Sequence, residues 1–256
     1  MVALSDEAIF EEVVVTTRRA FPTVPDLRVI ERPGWMQIIT PSVKSGALNE
    51  VSFSALADEE ADAIIDATIA EYRALGLRFR WSVGPGSAPA DLGARLERRG
   101  LVASWGRGMA RETAELPTNV DPAVSIEEVD ARTVDVFSRV MAEGWNLDRT
   151  PIANVNDVIL ASPDRRQRLF LARCHDEPAA VASYVAFPRS AYLIGGVVLP
   201  QFRGLGLYRA LVRARISHAH ARGIALATSH ARDATSAPIL ERLGFATICS
   251  YPMYFG

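Results

Sequence analysis

The segment that constrains this chain most is Val197-Val198-Leu199-Pro200-Gln201-Phe202-Arg203-Gly204-Leu205-Gly206-Leu207-Tyr208. An apolar run stops at a proline, a short arginine- and glycine-bearing stretch follows, and an amphipathic pattern opens behind it. That order predicts a strand, a loop and a helix start. A helix start leaves backbone N–H groups unpaired and carries the positive end of the helix dipole. Glycines let backbone approach a phosphate and adopt positive φ. Arg203 adds a full charge and a donor fork. Together these suit a pyrophosphate. The alternative is an ordinary strand-to-helix turn with glycines for geometry. GxxxxGK[ST] is absent, and the third glycine of a dinucleotide fingerprint is missing.

The surrounding pattern is that of a mixed α/β protein. The second half predicts strands at 124–129, 168–174, 180–187, 191–199, 224–229 and 245–255. Between them lie helices at 131–144, 152–161, 205–222 and 235–243. The long helix shows Tyr208, Leu211, Val212, Ile216 and Ala219 at 3–4 spacing. The first half predicts helices at 5–19, 58–75 and 89–99, with strands at 35–40, 50–56, 77–83 and 101–112. Residues 115–122 hold two prolines, an asparagine and an aspartate, and form the linker candidate. The expected domains are therefore 1–116 and 117–256.

The halves resemble each other. Leu96-Glu97-Arg98-Arg99-Gly100-Leu101 matches Leu240-Glu241-Arg242-Leu243-Gly244-Phe245, and Met109 and Met253 follow at the same distance. A long helix, a glycine stop and a strand precede each match. The shared order points to a duplication.

Composition removes several classes. The 256 residues carry a net charge of −2, which argues against a nucleic-acid partner. No apolar run reaches the roughly 18 residues of a membrane span, and the acidic start MVALSDEAIFEEVV is unlike a signal peptide, so a cytoplasmic location is expected. The two cysteines, Cys174 and Cys249, are too few for a disulfide framework, and the four histidines show no metal-binding spacing. No metal is expected.

Pro-x-x-Arg-Gly-x-Gly-Leu-Tyr-Arg-Ala-Leu, then a strand, then a short helix ending Leu-Glu-Arg-Leu-Gly-Phe, resembles the N-acetyltransferases of the GNAT superfamily. The resemblance covers about 122–256 well, and the N-terminal half looks like a degenerate copy. The whole chain is thus similar to a tandem GNAT protein, with two mixed, twisted sheets flanked by helices.

The resemblance implies acetyl-coenzyme A as acyl donor, its pyrophosphate on the N–H groups of Arg203, Gly204, Leu205, Gly206, Leu207 and Tyr208. Tyr208 is larger than the family's usual glycine or alanine. The resemblance also implies that the strand before the loop splays from its neighbour and pairs through Gly196, Val197 and Val198 with the pantetheine arm. An N–H near Val198 then polarises the thioester carbonyl. Gly195-Gly196 serves either that close approach or a simple bulge. Asp233 stands near the family's pantetheine-contacting asparagine. Leu240 stands where many members carry a thiolate-protonating tyrosine, and leucine cannot donate a proton.

His230 is the nearest titratable candidate for acid–base work, or else an ordinary loop histidine. Ser236 and Tyr251 are further catalytic candidates, although Ser236 also suits a helix cap. Glu143, Trp145, Asp148 and Tyr184 are the candidate acceptor-binding residues, with Trp145 alternatively in the core. His218 and His220 are expected at the surface. The implied reaction is direct attack by a primary amine, in a ternary complex, with a small-molecule acceptor and a monomeric or homodimeric enzyme. The rival is a non-catalytic acyl-coenzyme A binding or sensing module. The first half carries Asp58, Glu59 and Glu60 and no glycine at its matching helix start. Those acids stabilise a helix but repel a pyrophosphate, so one working site per chain is expected.

Overall fold

The computed structural model of the chain describes residues 4–21, 24–46, 48–116 and 121–256. Residues 117–120 of the expected linker lie outside the described residues. The chain forms two compact units. The larger takes the described parts of 1–23, 109–230 and 239–248, and the smaller those of 24–108, 231–238 and 249–256.

In the larger unit, β6 (Val124–Glu128), β7 (Gln167–Cys174), β8 (Glu177–Ala186) and β9 (Ser190–Val198) run antiparallel in sequence order. The first part of β10 (Leu226–Arg232) lies parallel to β9. Helices α4 (Val134–Trp145) and α6 (Leu207–His220) pack on these strands, and α5 (Arg149–Ala161) packs on α4. The core includes Phe137, Val140, Leu169, Leu171, Val181 and Val197. Helix α1 (Asp6–Val14) begins at Ser5, whose hydroxyl accepts from the Ala8 N–H at 3.2 Å. The sequence predicts one helix over 5–19, but α1 stops at Val15 and a 3-10 turn takes Thr16–Arg19. The β-branched run Val13–Thr17 explains the break. Thr17 also donates its hydroxyl to the Val13 carbonyl at 2.6 Å.

In the smaller unit, β1 (Arg28–Arg32), β2 (Trp35–Ile39) and β3 (Glu50–Ser52) are antiparallel. Strand β4 (Arg80–Ser82) lies parallel to β3. Met253–Phe255, at the end of β11 (Ala246–Phe255), then pair antiparallel with β4. Helices α2 (Asp58–Ala74) and α3 (Leu92–Arg98) pack over a core that includes Ile65, Tyr72, Phe79, Trp81, Leu96 and Tyr254. A Cβ on Gly93 would overlap the Tyr254 hydroxyl, so α3 lies directly on that ring. Sequence reasoning missed β1. In its Arg28-Val29-Ile30-Glu31-Arg32 only Ile30 packs against the core and the rest is exposed, which is the charged composition of an edge strand.

The helix ends carry the duplication down to single hydrogen bonds. Leu77 N–H donates to Tyr72 O at 2.9 Å, and Ile224 N–H to Ala219 O at 3.1 Å. Leu101 N–H donates to Leu96 O at 3.2 Å, and Phe245 N–H to Leu240 O at 3.1 Å. Gly76, Gly223, Gly100 and Gly244 supply the positive φ these caps need, at 63°, 75°, 83° and 83°. Each half therefore ends its long helix and its short helix, α3 or α7 (Ala237–Arg242), with the same glycine motif. Strand β5 (Val102–Glu112) follows α3 as β11 follows α7.

Candidate functional site

The register of β9 builds the site. Its parallel pairing with β10 spans Ser190–Leu193 and stops there, while β9 itself continues to Val198. The last tie is Ser229 Oγ donating to Leu193 O at 3.1 Å. From Ile194 to Val198, the β10-facing backbone edge has no pairing in that register. The pairing ends ahead of the segment that the motif comparison gives to the pantetheine arm.

On the other side, β8 pairs Val181 with Val197 and Ser183 with Ile194. Ala182 thus stands opposite both Gly195 and Gly196, which is a β-bulge. Gly195 has φ of 65°. At Gly196 a Cβ would come within 3.0 Å of Cε2 of Tyr208. Of the two expected alternatives the bulge is present, and the group that approaches Gly196 is the protein's own Tyr208 ring.

After β9 comes a 3-10 turn, Pro200–Phe202, then Arg203 to Gly206, then α6. Gly204 and Gly206 have φ of 85° and 80°, a conformation that favours glycine. A Cβ at Gly204 would meet nothing within 4 Å, so the loop has an open face. Gly206 is the N-cap, and the first bond back to it is Ala210 N–H to Gly206 O at 3.0 Å. Helix geometry leaves the donors ahead of Ala210 without intrahelical acceptors. Arg203 is exposed, its Nε donating to Val198 O at 3.3 Å. These are the residues that would hold a pyrophosphate, and the open glycine face fits one.

The end of α4 lies against the same strand. A Cβ on Gly144 would sit 2.5 Å from Cγ2 and 2.9 Å from Cγ1 of Val197. That contact brings the helix end bearing Glu143 and Trp145 to β9. Both are exposed, Trp145 at 37% of its surface, so it is not a core residue. Asp148 caps α5, accepting from the Thr150 N–H at 3.1 Å. Gly144→Ala is therefore expected to cost about 1–3 kcal/mol by overpacking, with Val197→Ala recovering part of it. Denaturant melts of the two single variants and the double variant measure the coupling.

Other sequence-derived candidates have partners of their own. Tyr184 is fully buried, with its hydroxyl 2.7 Å from His218 Nδ1. Burial pushes its pKa up to about 12. This corrects Tyr184 as an acceptor-lining residue: it faces α6 through His218 and has no open surface. It also corrects the surface placement of His218, whose Nε2 lies 3.1 Å from Glu128. Burial lowers the His218 pKa, aided by the Arg222 charge. His230 lies within β10, its Nε2 2.9 Å from Val13 O and 3.3 Å from Thr17 Oγ1. With the carbonyl accepting, that nitrogen carries a proton committed to α1. Leu240 is 1% exposed, a core residue.

Asp233, Ser236 and Tyr251 belong to the smaller unit. Asp233 is paired with Arg107 Nε at 2.5 Å, and its N–H donates to Trp105 O at 3.0 Å. Ser236 Oγ accepts from the Arg232 N–H at 2.9 Å and closes the turn before α7. Tyr251 is buried, and a Cβ on Gly106 would lie 3.6 Å from its ring.

The matching helix start in the smaller unit is closed on itself. Ala55 N–H donates to Gly34 O at 2.7 Å, and Leu56 N–H to Ala88 O at 3.0 Å. Arg95 binds Asp58, and also Asp62 at 3.2 Å. Loop donors that would face a phosphate are consumed, and the helix start is acidic.

The GNAT acetyltransferase family model matches residues 136–245, which hold β9, the glycine loop and α6. This segment is similar to the GNAT acetyltransferase family. The GNAT fold also extends over the rest of the chain. A GCN5-related N-acetyltransferase from Kribbella flavida is 14% identical, with 99% of this chain and 96% of that one covered and a TM-score of 0.65. A conserved protein of unknown function from Staphylococcus epidermidis gives 14% identity, 95% and 98% coverage, and a TM-score of 0.69. A tandem GNAT protein from the clavulanic acid biosynthesis pathway gives 13% identity, 100% and 96% coverage, and a TM-score of 0.57. No curated protein matches the sequence at a significant level. No helix among the described residues is long and apolar enough to cross a membrane.

Proposed function

We propose that this GNAT protein is an acetyl-coenzyme A-dependent N-acetyltransferase acting on a primary amine of a small molecule, by direct attack in a ternary complex. The observation that carries the reading is the open, positive-φ glycine loop placed directly after a strand whose pairing with β10 ends at Leu193. Acetyl-coenzyme A, when bound, supplies the activated acyl group as a thioester. The N–H groups of Gly206 to Arg209 and the Arg203 guanidinium bind the anion. The backbone of Gly196 to Val198 orients the acyl arm, and the Val198 region offers an oxyanion donor. Glu143 and Trp145 line the acceptor side, brought to β9 by the Gly144–Val197 contact. The repeats are proposed as 1–116 and 117–256, with the cofactor held by the second.

Arg203→Ala is expected to weaken acetyl-coenzyme A binding about ten- to a hundredfold, the loss of one charge-assisted contact of about 1.5–3 kcal/mol. Calorimetry on the folded variant checks it, and unchanged affinity would move the pyrophosphate elsewhere.

One observation favours a second reading, a non-catalytic acyl-coenzyme A sensor. Leu240 is buried in the core, and His230 Nε2 is held by Val13 O, so neither protonates a leaving thiolate in this arrangement. Release of free thiol with a panel of amines decides between them. Steady turnover with at least one amine supports the enzyme. Cofactor binding without turnover on any amine supports the sensor.

A further inference from the structure

The buried face of α6 carries an arginine. Arg215 is 2% exposed, among Leu211, Val212, Ile216 and Ala219 on the same face. Its Nε donates to Leu211 O at 3.0 Å, one turn back along the helix. Its Nη1 donates to Ser183 O at 2.8 Å and to Ile194 O at 3.3 Å. Ser183 and Ile194 are cross-strand partners and form the last register pair before the bulge. Seven positions earlier on α6, hence on the same helix face, the Tyr208 ring lies against Gly196. One helix therefore holds the pair on one side of the bulge through Arg215 and the bulge itself, at Gly196, through Tyr208.

Stability alone is a poor reason for this residue. Burying a cation is costly unless it is paired, and among the described residues no ion pair joins Arg215 to a carboxylate. Burial lowers its pKa to about 10, which still leaves it charged at neutral pH. Methionine would fill the space without that cost. What the guanidinium adds is geometry, because its fork joins two carbonyls on neighbouring strands to a rigid helix. The same helix begins at the phosphate-binding loop.

We propose that Arg215 is a positioning residue that locks the Gly195-Gly196 bulge and so presents the Gly196–Val198 backbone to the acyl arm of the cofactor. This rests on the acetyl-coenzyme A reading. Arg215 ties the position of the β9 backbone to that of the α6 N-terminus, the two places the cofactor must touch together.

The test compares full-length wild type with Arg215→Met and Arg215→Lys. Hydrogen exchange on the cofactor-free proteins reads peptides covering 190–198, with peptides around Val140 and Leu171, in the core of the same unit, as a reference. Calorimetry and steady-state kinetics with acetyl-coenzyme A follow. Arg215→Met is expected to raise exchange at 195–198 about tenfold, with the reference peptides unchanged. Its cofactor Kd and KM should rise about tenfold, the scale of one charge-assisted bond, with a smaller change in kcat. Arg215→Lys, which keeps a donor, should recover part of both.

Unchanged exchange and unchanged affinity in Arg215→Met would overturn the proposal. So would a rise in exchange that is equal at the reference peptides, since that is general destabilisation. If Arg215→Met does not fold, the same comparison is made on Arg215→Lys and Arg215→Gln. If the wild type itself fails to bind acetyl-coenzyme A, the functional reading fails. The exchange data then still decide whether Arg215 holds the bulge.

Discussion

Gly206→Glu is expected to reduce acetyl-coenzyme A affinity more than a hundredfold while the fold persists. Three effects act together. The position has φ of 80°, where a side chain costs on the order of 1–2 kcal/mol. A Cβ there would lie 3.5 Å from Arg209 Nη2, so the added carboxylate can draw that cation into an internal pair. The carboxylate also sits at the N-cap of α6, where it accepts the N–H groups that the pyrophosphate needs. It therefore competes for the same donors and repels the same ligand. Gly206→Ala separates the terms, since it carries the strain without the charge and should lose about tenfold. Neutralising Asp58, Glu59 and Glu60 is the control, and should leave affinity unchanged because Ala55 and Leu56 already spend their N–H groups internally. Binding that survives Gly206→Glu but responds to the acid substitutions would place the cofactor in the other half.

Deleting residues 249–256 is expected to unfold the smaller unit. Those residues come from the second half of the sequence, yet they pair with β4 and pack into the core of the first. Tyr254 is buried there against Gly93, and Gly256 exchanges two backbone bonds with Phe79, at 3.1 and 3.2 Å. Removing the Tyr254 ring alone is worth about 3–5 kcal/mol, and the strand bonds of Met253–Phe255 are lost as well. A sum of that size is comparable to the whole stability of a domain, about 5–15 kcal/mol. Near-ultraviolet circular dichroism and limited proteolysis should show Trp35 and Trp81 exposed and the region 24–108 cut first. A truncated chain with unchanged spectrum and protease resistance would contradict this account of the smaller unit.

The glycine punctuation is legible in the amino-acid sequence. Gly76, Gly100, Gly204, Gly206, Gly223 and Gly244 all take positive φ, and each stands at a helix boundary or in the loop that the sequence predicts. The duplication is legible for the same reason, because caps depend on a few local residues. What stays hidden is non-local. Met253–Phe255 reads as an apolar strand, but period alone cannot say which strand it will pair with. Tyr184 and His218 are far apart in sequence and meet only where α6 packs on β8. Arg215 does carry a signal: it falls four residues after Leu211, on the apolar stripe of its helix, where a charge must find buried acceptors. The sequence places His230 just past a strand end, whereas β10 runs on to Arg232 and holds it within the sheet.

The central claim is that this chain holds one acetyl-coenzyme A, on the loop from Arg203 to Tyr208. Titration calorimetry of the full-length chain with acetyl-coenzyme A measures it directly. The account predicts one site per chain in the wild type and none in Gly206→Glu. Two sites per chain, or no heat of binding at millimolar cofactor, would contradict it.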